Sequence, residues 1–210
     1  MKEKMLAVWI WADTIAREGA EIVVSRLYRA GVTDLYLLTK GQTGSVCFDD
    51  CKTAYRVAWS GQDILPRAIR CARAHGMRVH AWITSSYDAA YKKRFPKSGL
   101  CHYHRGRDRG IISLRDEGYR DFMRRFVEET FRKCAPDGLN MDYIRYNHLT
   151  YGWGEEDIAA YEKRGMDVGK LKSLMDKTFF AGQHDNRAIF DAYAGGDADV
   201  LALAEDRREN

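Results

Sequence analysis

The sequence predicts an α/β fold built on a parallel sheet, and three observations lead there. Short runs rich in β-branched and aromatic residues alternate with longer segments of helical periodicity. Each short run is apolar on both parities, so its two faces both need cover. Glycines stand where the first two helical patterns stop, at Gly31 and Gly76.

The first run is Leu6 to Ala12 (LAVWIWA), read as a strand. A helix over Ala20 to Ala30 follows, in which Ile22, Val23, Arg26, Leu27 and Ala30 keep helical spacing. Asp34 to Thr39 (DLYLLT) opens a second unit. After a long loop, Asp63 to His75 carries Ile64, Leu65, Ala68, Ile69 and Ala72 along one helical face. The third unit joins Arg78 to Ile83 (RVHAWI), through a loop of about thirty residues, to a helix over Tyr119 to Lys133, buried through Phe122, Met123, Phe126, Val127, Thr130 and Phe131 with Asp116 as its N-cap. Gly138 to Ile144 is the fourth strand. No fifth strand is evident beyond it; helical segments are expected over Glu155 to Lys163, Asp167 to Phe179 and Ala198 to Arg208. Two architectures fit this order: a doubly wound open sheet, or about half of an eight-stranded (β/α) barrel.

The length of 210 residues and the 45% hydrophobic content suit one globular domain over 1–210, with a helical extension from about residue 155. A net charge of +4 with both signs interspersed argues for solubility rather than nucleic-acid binding. One stretch departs from that balance. Tyr91 to Arg109 carries Lys92, Lys93, Arg94, Lys97, Arg105, Arg107 and Arg109, either as a solvated loop or as a contact surface for an anionic polymer. Five cysteines (Cys47, Cys51, Cys71, Cys101 and Cys134) are odd in number and sparse, which points to reduced thiols. Cys47 and Cys51 have no further ligands at motif spacing, so neither a metal nor a cofactor is expected. Leu6 to Ala12 is too short to span a membrane and has no cleavage site behind it; a soluble chain is expected, and any export signal would lie upstream or have been removed.

Ligands of parallel α/β sheets bind beyond the carboxyl ends of the strands. Side chains two apart share a face, so Trp9, Trp11 and Asp13, then Tyr36, Leu38 and Lys40, then His80 and Trp82, and finally Asn140 and Asp142 can face one mouth. Asp142 is the strongest candidate. A carboxylate at a strand end costs several kcal/mol if unpaired, and beside a cation such as Arg145 it can stay ionised as a nucleophile or charge stabiliser. The competing reading is a salt bridge with Arg145 that merely closes the end of the sheet. Asn140 would orient it or touch ligand, His80 is either a satisfied core histidine or, by its parity with Trp82, part of the site, and Lys40 and Asp13 are rim charges that either bind or are solvated. Aromatic residues crowd the following loops (Tyr55, Trp59, Tyr87, Tyr91, Tyr103, Tyr146, Tyr151, Trp153), suited to a sugar's flat faces or to ordering the loops themselves.

Other chemistries fail on their motifs. The pair His102 and His104 lacks partners on later strands, "GQTGSV" from Gly41 lacks the Lys and Ser or Thr of a phosphate loop, and there is no G-x-S-x-G or H-E-x-x-H.

Three stretches, "DILPRAIRCARAHGMRVHAWI" (Asp63 to Ile83), "ISLRDEGYRDFMRRFVEETFRK" (Ile112 to Lys133) and "DGLNMDYIRY" (Asp137 to Tyr146), together resemble the glycosyl hydrolase-like 10 family in order and spacing. The resemblance runs from Leu6 to about Tyr146. It implies a parallel (β/α) barrel of TIM type, about four β/α units of which are present, and a glycoside hydrolase acting on a polysaccharide or oligosaccharide. It assigns Asp142 as nucleophile or transition-state stabiliser, with His80, Trp82, Tyr143, Arg145 and Tyr146 lining the sugar site; Asn140, Lys40, Trp11 and Asp13 join them from the reading of the strand ends. Asn140 stands where relatives often have His, and "SLRDEGY" replaces a W-L-D-P-like stretch. Glycoside hydrolysis normally takes two carboxylates, and the general acid is expected outside this chain. The alternative is a carbohydrate-binding or scaffold protein of the same fold. Isolated, such a half would expose the edges of its first and fourth strands and is expected to self-associate.

Overall fold

A computed structural model describes residues 4–180 and 183–209; the Arg109 side chain, part of the basic stretch, lies outside the described residues. The elements run β1 (Ala7–Ile10), α1 (Ala12–Glu18), α2 (Ala20–Arg29), β2 (Asp34–Lys40), β3 (Ser45–Val46), β4 (Arg56–Val57), α3 (Ile64–Arg73), β5 (Arg78–Thr84), α4 (Ala89–Arg94), β6 (Gly99–His102), β7 (Gly106–Ile112), α5 (Glu117–Cys134) and β8 (Gly138–Asp142). A helical region follows: α6 (Glu155–Lys163), α7 (Val168–Asp176), the short strands β9 (Phe179–Phe180) and β10 (Gln183–His184), α8 (Arg187–Ala194) and α9 (Ala198–Glu209).

The fold is mixed α/β with a parallel sheet. β1 pairs β2, β2 pairs β5 and β5 pairs β8, each in parallel and in chain order. The small strands β3 and β4 extend the sheet from the end of β2, where Lys40 lies opposite Val46. Among the described residues β1 and β8 do not pair, so the sheet is open rather than closed.

One face of the sheet is covered by helices. Leu35, Leu37, Val79 and Ile83 alternate along their strands and pack with Ile15, Val23, Val24, Ile64, Leu65, Ala68, Ile69, Ala72, Phe122 and Phe126 in the main core. Each of the larger side chains, fully buried, is worth about 1.5–3 kcal/mol. Helix α5 begins as its sequence predicts, with the Asp116 carboxylate accepting the Tyr119 N–H at 2.7 Å. The chain leaves α3 at Gly76 (φ +69°), after which Met77 N–H reaches back to the Ala72 carbonyl.

Three expectations are corrected here. The first strand stops at Ile10, because the chain turns at Trp11 and α1 starts at Ala12 with Thr14 N–H donating to the Trp11 carbonyl. The stretch between β5 and α5 is not bare loop but holds α4 and the hairpin of β6 and β7. The fourth strand ends at Asp142 rather than Ile144, since Tyr143 takes a left-handed backbone (φ +55°).

The helical region has its own core of Trp153, Tyr161, Met166, Leu171, Met175, Ile189, Val200 and Leu203. It is tied to the segment before α5 by Arg115, whose guanidinium donates to Asp157 on α6 at 3.0 Å and to Asp206 on α9, both carboxylates being fully buried. No described helix is long and apolar enough to cross a membrane.

Candidate functional site

Among the described residues, the helices of the main core pack on one face of the sheet and leave the other open. Its side chains form layers, because parallel strands in register bring alternate residues side by side. In the first layer Trp9, Tyr36, His80 and Gly138 stand opposite one another. The rings stack: Trp9 on Tyr36 at 4.7 Å and Tyr36 on His80 at 4.6 Å between centroids. Gly138 makes room for the imidazole, since a Cβ there would lie 2.4 Å from His80 Nδ1. His80 Nε2 sits 2.8 Å from Asp34 Oδ1, and Asp34 also receives both arms of Arg78 at 2.8 and 2.9 Å. The Arg78 guanidinium, opposed by burial and helped by His80 and Thr33, holds the Asp34 carboxyl well below the usual carboxylate range.

That arrangement corrects the placement of His80. It shares the open face with Asp142, yet it is in register with Gly138, four residues earlier on β8. At about 3.3 Å per residue the two are separated by about 13 Å along the strands. His80 is satisfied by Asp34 at the amino end of the sheet and does not lie beside Asp142.

The next layer leads to the carboxyl ends. Trp82 Nε1 donates to Asp142 Oδ2 at 3.1 Å, and the Tyr143 N–H donates to Asp142 Oδ1 at 2.8 Å. Trp9 Nε1 reaches Asn140 Oδ1 at 3.3 Å, and Trp11 meets Trp82 edge-on at 5.7 Å. Trp9 and Trp11 are 55% and 58% exposed, so this aromatic wall is open to a ligand. Asp142 is thus half-buried, oriented by two N–H donors, and flanked by indoles. Of the two carboxylates that open-face strand positions carry, Asp34 is spent on Arg78, leaving Asp142 as the one at the mouth.

The end of β8 is held from beneath. Ser85 N–H donates to the Asp142 carbonyl at 2.7 Å and Ser86 Oγ donates to the Tyr143 carbonyl. This serine turn rests on Lys40, whose Nζ donates to the Thr84 and Tyr87 carbonyls at 3.0 Å each and lies 3.3 Å from Asp88 Oδ2. Tyr119 Oη completes the support by donating to the Ser85 carbonyl at 2.6 Å. Lys40 is therefore not a rim charge facing ligand. A bulge puts Leu38 opposite Trp82 but Lys40 opposite Ile83, and one extra residue turns every later side chain to the other face. Burial pushes the Lys40 ammonium down and Asp88 opposes that push.

Other sequence candidates separate in the same way. Asp13 lies on α1, not on a strand, and pairs with Arg17 one turn later at 3.1 Å, so the period-two reading does not reach it. Arg145 makes no ion pair with Asp142 among the described residues; its guanidinium lies over the Tyr143 ring, which meets Tyr87 edge-on. Tyr146 turns away into the helical region, where its hydroxyl donates to Asp157 at 3.3 Å under the Arg207 guanidinium, and burial pushes its pKa up. Trp11, Trp82, Asn140, Asp142 and Tyr143 remain at the mouth. Several loop rings serve packing: Tyr91 is buried against Tyr119 and Phe122, and Trp153 belongs to the second core. Reading the strands alone misses Ser86, Asp88 and Tyr119; the polar Thr84 and Ser85 that follow the third strand are the available signal.

Comparison with known proteins gives no matching family model and no matching curated protein. Solved structures do match. An α-L-fucosidase, isoenzyme 2 of Paenibacillus thiaminolyticus, aligns with 80% of this chain at 16% identity and a TM-score of 0.63. A β-galactosidase from the psychrophilic Marinomonas ef1 aligns with 86% of it at 18% identity and a TM-score of 0.56. The fold is glycoside hydrolase-like. The chain spans 27% and 28% of the lengths of those two proteins. A hypothetical protein from Ruminiclostridium thermocellum ATCC 27405 also aligns with 77% of it, over 93% of its own length, at 13% identity and a TM-score of 0.58.

Proposed function

We propose that the chain is the N-terminal half of a (β/α)-barrel glycoside hydrolase related to the glycosyl hydrolase-like 10 family, acting on a polysaccharide or oligosaccharide. The observation that carries this reading is Asp142 at the carboxyl end of a parallel strand, held by Trp82 Nε1 and the Tyr143 N–H beside an exposed wall of indoles. Two fixed N–H donors aim the carboxylate, and the rings offer flat apolar faces to a sugar. Asp142 acts as nucleophile or transition-state stabiliser, while Trp11, Trp82, Asn140 and Tyr143 contact the sugar. The general acid comes from strands outside this chain, at about 5–5.5 Å for a retaining enzyme or about 6.5–9.5 Å for an inverting one.

In the protein that carries both halves, Asp142→Asn is expected to abolish turnover of a sensitive glycoside while oligosaccharide binding persists. Unchanged turnover would overturn the assignment. A second reading, carbohydrate binding without catalysis, is favoured by Asp142 standing as the one carboxylate that the described open-face strand positions bring to the mouth. It is recognised by sugar binding that weakens on Trp11→Ala, with no hydrolysis by the complete protein.

A further inference from the structure

A second cleft opens at the same end of the sheet. The loop after β2 and the helix that follows β5 form its walls, and those strands end toward the same mouth as β8. Its volume is about 700 Å³, and it is lined by Thr43, Tyr55, Arg56, Lys93 and Arg94, with Ala89 and Ala90. Three of these residues are cations and none is an acid. We propose that this cleft binds the anionic groups of an acidic polysaccharide; the choice of a sugar polymer rests on the carbohydrate reading of the Asp142 site.

The charges here are available, which separates them from Lys92 and Arg107 of the basic stretch. Arg56 and Lys93 make no ion pair or side-chain hydrogen bond among the described residues, and Arg94 lies over the Tyr55 ring at 5.2 Å. Elsewhere in the stretch Lys92 is taken by the Pro96 carbonyl, and Arg107 by Glu156 at 3.2 Å and the carbonyls of Lys97 and Gly99. Asp88, next in sequence to the cleft wall, is turned inward onto Lys40 and does not neutralise the site. The N–H groups of Ala89 and Ala90 are occupied by the Gln42 and Thr43 carbonyls at 3.1 Å, so side-chain charge supplies the attraction. Guanidinium groups match carboxylate and sulfate oxygens in pairs, and Tyr55, 43% exposed in the lining, adds aromatic surface for a sugar.

Titration with polygalacturonate, dextran sulfate, methyl-esterified polygalacturonate and single-stranded DNA tests the proposal. Binding of one or both anionic polysaccharides is expected, and which one distinguishes carboxylate from sulfate ester. The Arg56→Gln/Lys93→Gln variant should bind that polymer about tenfold more weakly at low salt, and esterification should abolish the preference for polygalacturonate. Wild-type affinity in the variant, or DNA bound as tightly as the polysaccharide, would overturn it. Failure of the Asp142 reading is distinct: it shows as turnover surviving Asp142→Asn, whatever happens in the cleft.

Discussion

Lys40 Nζ lies 3.3 Å from Asp88 Oδ2, and both side chains are essentially inaccessible to water. The pair clamps the end of β2 to the turn that carries Ser85 and Ser86, and through them to the end of β8. Removing one partner strands the other charge in the interior, which costs about 3–5 kcal/mol. Lys40→Met is therefore expected to lower unfolding free energy by that amount in a urea titration. Lys40→Met/Asp88→Leu should recover part of the loss, because no lone charge remains. A single variant as stable as the wild type would show that the clamp is dispensable.

Gly138→Ala tests the layer below. The added methyl would lie 2.4 Å from His80 Nδ1, and the ring cannot move freely because it is stacked on Tyr36 and bonded to Asp34. A loss of about 1–3 kcal/mol is expected, visible as a lower thermal midpoint. Recovery by Gly138→Ala/His80→Ala would identify the clash as its cause.

Glu129 gives the acid side of the stability profile. Burial alone would raise its carboxyl, but the N–H groups of Lys52 and Thr53 and the Lys133 ammonium overcome it and hold the pKa down at about 2, from 4.5. A depressed carboxyl stabilises the fold above its unfolded value, and that stability is lost as pH falls from 4.5 toward 2. The contribution at neutral pH is about 3 kcal/mol. Glu129→Gln should lose it at pH 7 and flatten the slope over that acid window; an unaltered slope would assign the acid sensitivity to other groups.

The free edges of β1 and β8 present unpaired backbone groups. Sedimentation of this chain alone is expected to show mass rising with concentration. A lysine at Met141, 43% exposed on β8, should reduce that rise. A monomer at every concentration would count against edge pairing.

The parallel sheet and its main helices were legible because alternation and helical spacing are local properties of the chain. Leu35 and Leu37 against Ile64 and Leu65 follow directly from the pattern. Lys40 was not legible, since a bulge of one residue reverses the face and leaves no mark in a period-two reading. Asp13 and Tyr146 failed for related reasons: a helix starting at Ala12 replaced strand parity, and a left-handed Tyr143 redirected the chain after Asp142. The Trp82 to Asp142 contact joins residues 60 apart. Shared parity brought them to one face, but only the register of β5 with β8 brings indole and carboxylate within hydrogen-bonding distance.

Arg115 has a consequence for how the molecule assembles. Its Asp206 partner lies 91 residues later in the chain, so a ribosome must deliver the whole helical region before the guanidinium can find both acids. Until then a cation waits unanswered at the seam where α5 begins. The sheet is complete in sequence by Asp142 and can collapse before the helical region is made, and locking of that region onto it should be the slow, late event of biogenesis.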